Sequence, residues 1–337
     1  MAKGVPAQTA RGYAGDWQRF EQWAAENGLR AMPASAETLT EYVAWLTVTP
    51  RPRTGRPYKP SSIDRAMASI AVAHQAASLP QPAQTGARLV LRGYEAELKQ
   101  TKDPRGKVRK AGAATPRVLR QMIAATDTAT LIGARDAAAL TNGFALAARS
   151  SEAALLDWED VAEADEDQGL LYDLYRPKVT NDQPLDVPYG NYATTCPVRT
   201  LRAYRQALLD HEHEPTGPLF VRIDRHGRIN PPLHRGGRRI GDPAGRMTAE
   251  GIGDIVTRAA RRAGLLRPDQ LLPEGAPRWT GHALRRGYAT AIREAKKDQL
   301  EAARHGGWVD GSRAFAGYHD RAGVFDEELN PLYGIGL

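Results

Sequence analysis

Three segments of the chain hold side chains that could act together on a phosphodiester. They are ALAARSSEAALLDWEDV, TGHALRRGYAT and HGGWVDGSRAFAGYHD, in this order. Their residues of interest are Arg149 and Glu152, then His282 and Arg285 in an H-x-x-R spacing, then His305, Trp308 and Tyr318. A further candidate, Lys178, lies in RPKVTND between the first and second segments.

Cleavage of a phosphodiester by side chains requires a nucleophile, an acid for the leaving group and positive charge around the phosphoryl oxygens. The planar guanidinium groups of Arg149 and Arg285 suit two-point contact with the nonbridging oxygens, where they would stabilise the transition state. A free tyrosine has a pKa of about 10, so Tyr318 needs a base, and His282 can act as that base. Lys178 can protonate the departing 5′ oxygen, and Trp308 can donate its indole N–H to the phosphate or pack against it.

Each of these residues also has an ordinary structural interpretation. Arg149 could form a surface ion pair with Asp157 or Glu159. His282 could be a core histidine that caps a helix, and Tyr318 could be a half-buried aromatic residue. The occurrence of all of them in one chain, in this order, favours chemistry over four separate coincidences.

Neighbouring polar residues are assigned lesser roles. We interpret Glu152 as a structural residue that orients the surroundings of Arg149, and His305 as a second candidate for acid–base work. The pair His211 and His213 lacks further ligands at standard spacing and is interpreted as a polar helix end. The sequence has no phosphate-binding or dinucleotide-binding glycine motif and no carboxylate cluster for two-metal chemistry, so we expect no metal and no cofactor.

Composition limits the class of protein. The 337 residues suit two domains of ordinary size. The net charge of +7 and the pI of about 9.5 suggest nucleic acid as a partner, although a basic enzyme without such a partner fits them too. The single cysteine, Cys196, excludes an internal disulfide and suits a reducing compartment. With no secretory signal and no apolar run that could span a bilayer, we expect a cytoplasmic protein without membrane contact.

The first hundred residues are predicted to be helical. Tyr13, Trp17, Phe20 and Trp23 recur every three or four residues, which places them on one helical face as core rather than as a base-stacking surface. The segment 101–112, TKDPRGKVRKAG, has few apolar residues and no periodicity, as is typical of a linker. We therefore predict a helical domain at 1–108 and a second domain at 113–337.

Two basic segments are candidates for contact with phosphates. Three prolines and a glycine exclude regular structure from RPRTGRPYKP, residues 51–60. A stiff basic loop suits phosphate contact, with a solvated surface loop as the alternative. The linker could lie across a DNA backbone or serve only as a joint. The candidate cations are Arg51, Arg53, Arg56 and Lys59 in the loop and Lys107, Arg109 and Lys110 in the linker.

The second domain is predicted to be mixed. Residues 169–190, GLLYDLYRPKVTNDQPLDVPYG, alternate apolar and polar positions around a turn-rich centre, which predicts a hairpin with TND at or near its turn. An arginine-rich loop is expected at 222–246. Helices are expected at 115–125, 134–148 and 150–157, after Pro197, and near 248–263, 282–295 and 298–304.

Taken together, the three segments resemble the tyrosine recombinase family, which includes lambda integrase and Cre. Arg149 to Glu152 fit the family's first arginine pattern, G-x-R-x-S-E-L, and residues 282–290 match its second, H-x-L-R-R-x-x-A-T. The third pattern, a glycine followed by His or Trp and then a tyrosine, is met by Trp308 and Tyr318. Their spacing is ten residues, one more than in the family, and Asp310-Gly311 can absorb the extra residue in a turn. Lys178 is followed by Val179 where the family has threonine.

The resemblance implies a mainly α chain with a small β component (α+β), in which a helical core-binding domain of the SAM-like type precedes a tyrosine recombinase catalytic domain. It implies metal- and ATP-independent strand cleavage and rejoining through a 3′-phosphotyrosyl intermediate. The residues carried over are Arg149, Lys178, His282, Arg285 and Trp308, with Tyr318 as nucleophile. The implied partners are double-stranded DNA with inverted-repeat arms and further copies of the chain, monomeric when free and tetrameric at synapsis.

Two other functions fit the same residues. A type IB topoisomerase-like enzyme would share the chemistry without synapsis, and an architectural DNA-binding protein would have lost the chemistry. The intact Arg149, His282, Arg285 and Tyr318 argue against the architectural protein. The apolar segment 325–337, FDEELNPLYGIGL, is expected to pack into a neighbouring protomer.

Overall fold

The structure is a computed structural model that describes five stretches of the chain, residues 7–51, 55–106, 111–176, 184–266 and 279–318. Its internal contacts divide the chain into two compact units, Met1–Arg109 and Lys110–Leu337. The chain is mainly helical with small antiparallel sheets, which confirms the predicted fold class. No helix within the five described stretches is long and apolar enough to cross a bilayer.

Four helices form the described part of the first unit. They are α1 (Ala7–Glu26), α2 (Ala36–Val48), α3 (Pro60–Ala76) and α4 (Thr85–Gln100). Phe20 and Trp23 are buried as predicted, and the ring of Phe20 lies 5.0 Å from that of Tyr42 on α2. The aromatic stripe of α1 is therefore core at these positions. Pro60 begins α3, where the absence of its N–H costs no hydrogen bond.

The second unit holds the remaining elements. Its helices are α5 (Pro116–Ala124), α6 (Leu131–Ala145), α7 (Ser150–Leu155), α8 (Pro197–Asp210), α9 (Ala249–Arg262), α10 (His282–Glu294), α11 (Gln299–His305) and α12 (Arg313–Ala316). Its strands are β1 (Val161–Glu163), β2 (Gly169–Tyr172), β3 (Leu185–Pro188), β4 (Leu233–Arg235) and β5 (Arg238–Ile240). The first three strands form an antiparallel sheet in the order β1-β2-β3, and β4 pairs with β5 alone.

Helix α6 lies in the centre of this unit. It is buried along nearly its whole length and packs against α8, α9 and α10. Many of its buried residues are alanines, whose small side chains let neighbouring helices approach closely. Thr130 begins the helix by accepting the N–H of Gly133 with its hydroxyl oxygen. The helix therefore supplies a rigid base for the turn that follows it, where Arg149 lies.

The predicted hairpin is present as the antiparallel pair β2 and β3, with Leu170 opposite Val187. Its proposed turn, TND at 180–182, lies outside the described residues. The sequence did not predict β1, α12 or the β4–β5 pair, which lies inside the segment expected to be an arginine-rich loop. Elements of three or four residues are too short to carry a recognisable period.

Candidate active site

Arg149 lies in the turn after α6 and caps the N-terminus of α7. Its backbone N–H donates to the Glu152 carboxylate at 2.8 Å, and its guanidinium pairs with the other oxygen of that carboxylate. Glu152 is buried, whereas the Arg149 side chain is 37% exposed. Arg149 therefore pairs with Glu152 rather than with Asp157 or Glu159, the partners that sequence alone suggested. Glu152 holds the guanidinium while leaving one side of it open.

Arg285, one turn into α10, is almost fully buried at 1% exposure. Its Nη1 donates to the carbonyls of Ala147 and Gly306, each at 2.6 Å, and its guanidinium carbon lies 3.6 Å from the centre of the Trp308 ring. Burial and then the charge of Arg149 lower the pKa of Arg285 to about 10, so the group stays protonated at neutral pH.

One donor of Arg285 is left over. Its Nη2 is buried and has no hydrogen-bond partner among the described residues. A buried donor without an acceptor costs about 1–3 kcal/mol. An anion bound here would supply the acceptor, so Nη2 suits an oxygen of a phosphate group.

The turn after α11 has the sequence Gly306-Gly307-Trp308. Gly307 has a φ of +65°, a conformation that glycine adopts without strain. A Cβ atom on Gly306 would lie only 1.8 Å from Cζ3 of Trp308. The two glycines therefore allow the indole ring to fold back over Arg285. The buried ring also contacts Phe315 and Tyr318, at centroid distances of 4.8 and 5.7 Å.

Tyr318 follows the short helix α12, which Ser312 caps. Gly311, with a φ of +71°, forms the turn between Trp308 and that helix. The hydroxyl of Tyr318 lies 2.6 Å from Nε2 of His282, the first residue of α10. The structure thus brings together two residues from separate sequence segments, in a geometry that permits proton transfer.

The surroundings of His282 favour its neutral form. Burial is the largest cause of its lowered pKa, and the cations Arg285, Arg149 and Arg286 lower it further. An imidazole that is neutral at pH 7 has a free lone pair. It can accept a proton from the hydroxyl of Tyr318 as that oxygen becomes a nucleophile.

His305, the second acid–base candidate, is directed elsewhere. Its ring stacks on Tyr288 with centroids 5.4 Å apart, and its Nε2 lies 2.8 Å from the carbonyl oxygen of Ala145. A carbonyl can only accept, so Nε2 carries the hydrogen in this contact. Burial lowers the pKa of His305. This geometry ties α11 to the end of α6, and Tyr288 is buried.

Arg176 was not singled out from the sequence, although it directly precedes the Pro-Lys of the lysine segment. It is buried and donates to the carbonyls of His305 and Leu146, each at 2.6 Å. Arg285 donates to the next carbonyl on each side, those of Gly306 and Ala147. Both guanidinium groups therefore link the turn after α6 to the end of α11, and the carbonyls that they contact are adjacent in sequence on each side.

Several predicted residues fall outside the described stretches: Lys178, Arg53, Lys107, Arg109 and Lys110. Of the remaining basic candidates, Arg56 is exposed, and the guanidinium of Arg51 lies 5.8 Å from the ring centre of Tyr58. Lys59 precedes α3 and borders a surface groove of the first unit. The groove is also lined by Arg88, Arg92, Lys99 and Arg105, with Asp64 and Glu95 as acidic residues.

Comparison of this sequence with those of known proteins finds a relative along nearly the whole chain. An integrase/recombinase XerD homolog from Selenomonas ruminantium is 25% identical over 342 residues, which cover 99% of this chain and 87% of the relative. No family model matches the chain.

Comparison with solved structures identifies proteins of the same fold. A lambda integrase(75-356) dimer bound to a COC′ core site matches with a TM-score of 0.56 and 14% identity, over 95% of this chain and 90% of that one. A Tn1549 transposon integrase in complex with circular intermediate DNA matches with a TM-score of 0.54 and 13% identity, over 95% and 92% of the two chains. This chain therefore has the fold of these integrases.

Proposed function

We propose that this chain, a tyrosine recombinase by its sequence similarity and its fold, is a site-specific DNA recombinase that cleaves and rejoins strands through Tyr318. The observation that carries the assignment of Tyr318 is the 2.6 Å contact between its hydroxyl and Nε2 of His282. Around this contact the chain supplies two arginines, one from the turn before α7 and one from α10, and a buried indole ring.

The reaction is a transfer of one phosphoryl group. Tyr318 Oη attacks the phosphorus atom, its proton passes to Nε2 of His282, and a bond from phosphorus to tyrosine forms. The bond from phosphorus to the 5′ oxygen breaks, and Lys178, which lies outside the described residues, protonates that oxygen. Arg149 and Arg285 Nη2 bind the nonbridging oxygens and stabilise the charge of the pentavalent transition state. Because the phosphotyrosine bond keeps the energy of the broken linkage, rejoining by the reverse steps needs no ATP.

The partner is double-stranded DNA with inverted-repeat arms, one protomer to each arm. The similar lambda integrase and Tn1549 integrase were solved bound to DNA, and the net charge of +7 suits such a partner. The exposed cation of Arg56 and those that border the groove of the first unit, Lys59 among them, serve as phosphate contacts. The chain is a monomer when free and a tetramer when two sites are joined.

The segment 325–337 contributes to that assembly by packing into a neighbouring protomer. It lies outside the described residues, and its apolar composition supports the proposal. Deletion of 326–337 should weaken assembly on paired sites and spare binding to a single site. Assembly that is unchanged by the deletion would rule this role out.

The test of the function is covalent trapping. The protein is incubated with nicked, partly randomised duplexes without metal or ATP, so that the short fragment diffuses away after cleavage. A covalent protein–DNA band on a denaturing gel is expected, and Tyr318→Phe should abolish it while Tyr192→Phe, at an exposed tyrosine, should not. A band that persists in Tyr318→Phe would disprove the nucleophile. Tight binding without any band would disprove the chemistry.

A further inference from the structure

Strands β4 and β5 form a small hairpin in the arginine-rich segment 222–246, which the cleavage chemistry does not use. Gly236 and Gly237 make its two-residue turn with φ values of +55° and +76°. Positive φ at both positions is the backbone that suits the twist of a tight hairpin. All six residues of the two strands are exposed, so this hairpin stands on the surface of its unit.

The hairpin carries positive charge with which no acidic side chain among the described residues forms an ion pair. Residues 229–241 contain no Asp or Glu. Apart from the backbone pairing of the two strands, the side chains of Arg235, Arg238 and Arg239 have no ion pair or hydrogen bond with another residue that the structure describes. Arg228, just before the hairpin, pairs by contrast with Asp224 at 2.7 Å. The three arginines of the hairpin thus present their full charge to solvent.

The pairing of the strands brings these charges together. Arg235 lies directly opposite Arg238, and His234 lies opposite Arg239. Like charges in directly opposed positions destabilise an antiparallel pair. The hairpin therefore keeps an unfavourable arrangement that a bound polyanion would relieve.

The base of the hairpin is held firmly. Arg222 donates to the side-chain oxygen of Asn230 at 2.6 Å and to the carbonyl of Asp242 at 3.0 Å. The amide nitrogen of Asn230 donates to the carbonyl of Pro243 at 2.7 Å. The two ends of the segment are thereby joined, and the arginines project from a fixed base rather than from a free loop.

The same base is fastened to α7, the helix whose N-terminus Arg149 caps. Arg246 donates to the carbonyl of Leu155 at 3.0 Å and pairs with Asp157 at 2.5 Å, both at the C-terminal end of α7. Arg149 caps the other end of that helix. Six helical residues span about 9 Å, so the hairpin is joined to the scaffold at a distance from the cleaved phosphate.

The chemistry of this surface fits DNA better than protein. Its only large apolar residues are Leu233 and Ile240, which are 38% and 39% exposed. The centre of a protein interface relies on buried apolar contacts, which these two partly exposed aliphatic side chains supply only to a small extent. Contacts from arginine to phosphate oxygens, in contrast, make up a large share of protein–DNA hydrogen bonds.

We propose that the β4–β5 hairpin is a second DNA-binding element, which contacts the phosphate backbone of the duplex away from the cleaved position through Arg235, Arg238 and Arg239. The inference rests on the proposed function in that it takes DNA as the partner. The inference does not depend on cleavage. The hairpin adds affinity for DNA that is insensitive to base sequence and sensitive to salt.

The experiment measures binding of the full chain to a fluorescent duplex of random sequence over a series of salt concentrations. The variant R235Q/R238Q/R239Q is compared with R199Q/R202Q/R205Q, which removes the same number of charges from exposed positions on α8. The hairpin variant should raise Kd about tenfold. It should also make the negative slope of log association constant against log salt concentration shallower by about 2 to 3. The α8 variant should change both much less, and R235K/R238K/R239K should keep most of the wild-type slope because lysine keeps the charge.

Equal losses in the two glutamine variants would mean that only net charge matters, and the proposal would be wrong. It would also be wrong if the hairpin variant binds DNA like wild type but fails to assemble on paired sites, since the hairpin would then contact protein. The wild type and the three triple variants are also each measured with Tyr318→Phe added. Binding that depends on the hairpin would thus be seen even if the proposed cleavage were absent.

Discussion

Nε2 of His282 lies 2.6 Å from the hydroxyl of Tyr318, although 36 residues separate them in the chain. The histidine begins α10, and the tyrosine follows a short helix after the Trp308 turn. Burial, and after it the charge of Arg285 one turn later, lowers the pKa of His282. Arg285 also contacts the tryptophan that packs on the tyrosine. The proposed nucleophile, its proposed base and the positive charge beside them are thus held by one set of contacts.

The first prediction concerns pH. Because burial and nearby cations lower the pKa of His282, the imidazole is neutral above about pH 6.5, the ordinary value for histidine, and is protonated only below its lowered pKa. The rate of covalent adduct formation should therefore be sustained through neutral pH and fall as the pH drops through that lowered value. His282→Gln should reduce the rate by about 10²–10⁴-fold and remove this acid limb. An acid limb that survives in the variant would assign the titration to another group.

The second prediction separates the two arginines. Arg285→Lys should lower both the melting temperature and the adduct rate, because one ammonium cannot bond both carbonyls and also stack flat on Trp308. Arg149→Lys should lower the rate with a much smaller change in stability, because Arg149 is partly exposed and its cap uses the backbone N–H. Thermal unfolding and adduct formation are measured on both proteins. Equal losses of stability would refute the distinction.

The third prediction concerns the glycine turn. Gly306→Ala should destabilise the chain by about 1–3 kcal/mol, since its Cβ would overlap the rigid indole ring of Trp308. Adduct formation should fall as well, because the ring packs on both Arg285 and Tyr318. Gly253→Ala in α9 is the control, as its Cβ would meet no atom closer than 3.6 Å. Denaturant unfolding that gives the same free energy for both variants would count against the packing argument.

The fourth prediction concerns Arg176. Arg176→Met should lower the free energy of unfolding by about 2 kcal/mol or more, because the carbonyls of His305 and Leu146 lose the buried guanidinium that donates to them. Arg202→Met removes an exposed arginine that pairs with Glu163, and it should cost at most about 1 kcal/mol. The two are compared by chemical denaturation. Similar costs would mean that the bonds of Arg176 contribute little to stability.

Much of this protein is determined by local sequence. The aromatic period of α1, the proline at the start of α3 and the apolar pattern of α10 depend on neighbours a few residues apart, so they can be predicted without knowledge of the fold. The types of the candidate residues and their order are local information too. They were sufficient for the resemblance to the tyrosine recombinases and for the mainly helical fold class.

Only the tertiary structure decided how those residues meet. Arg285 bonds to a carbonyl 138 residues away and Arg176 to one 129 residues away, and such contacts follow from how α6, α10 and α11 pack. Packing also placed the Trp308 ring over Arg285, 23 residues away. The β4–β5 hairpin escaped prediction because three-residue strands have no usable period. The sequence thus determined which groups are present, while packing determined which of them touch, because local periodicity carries no information about distant contacts.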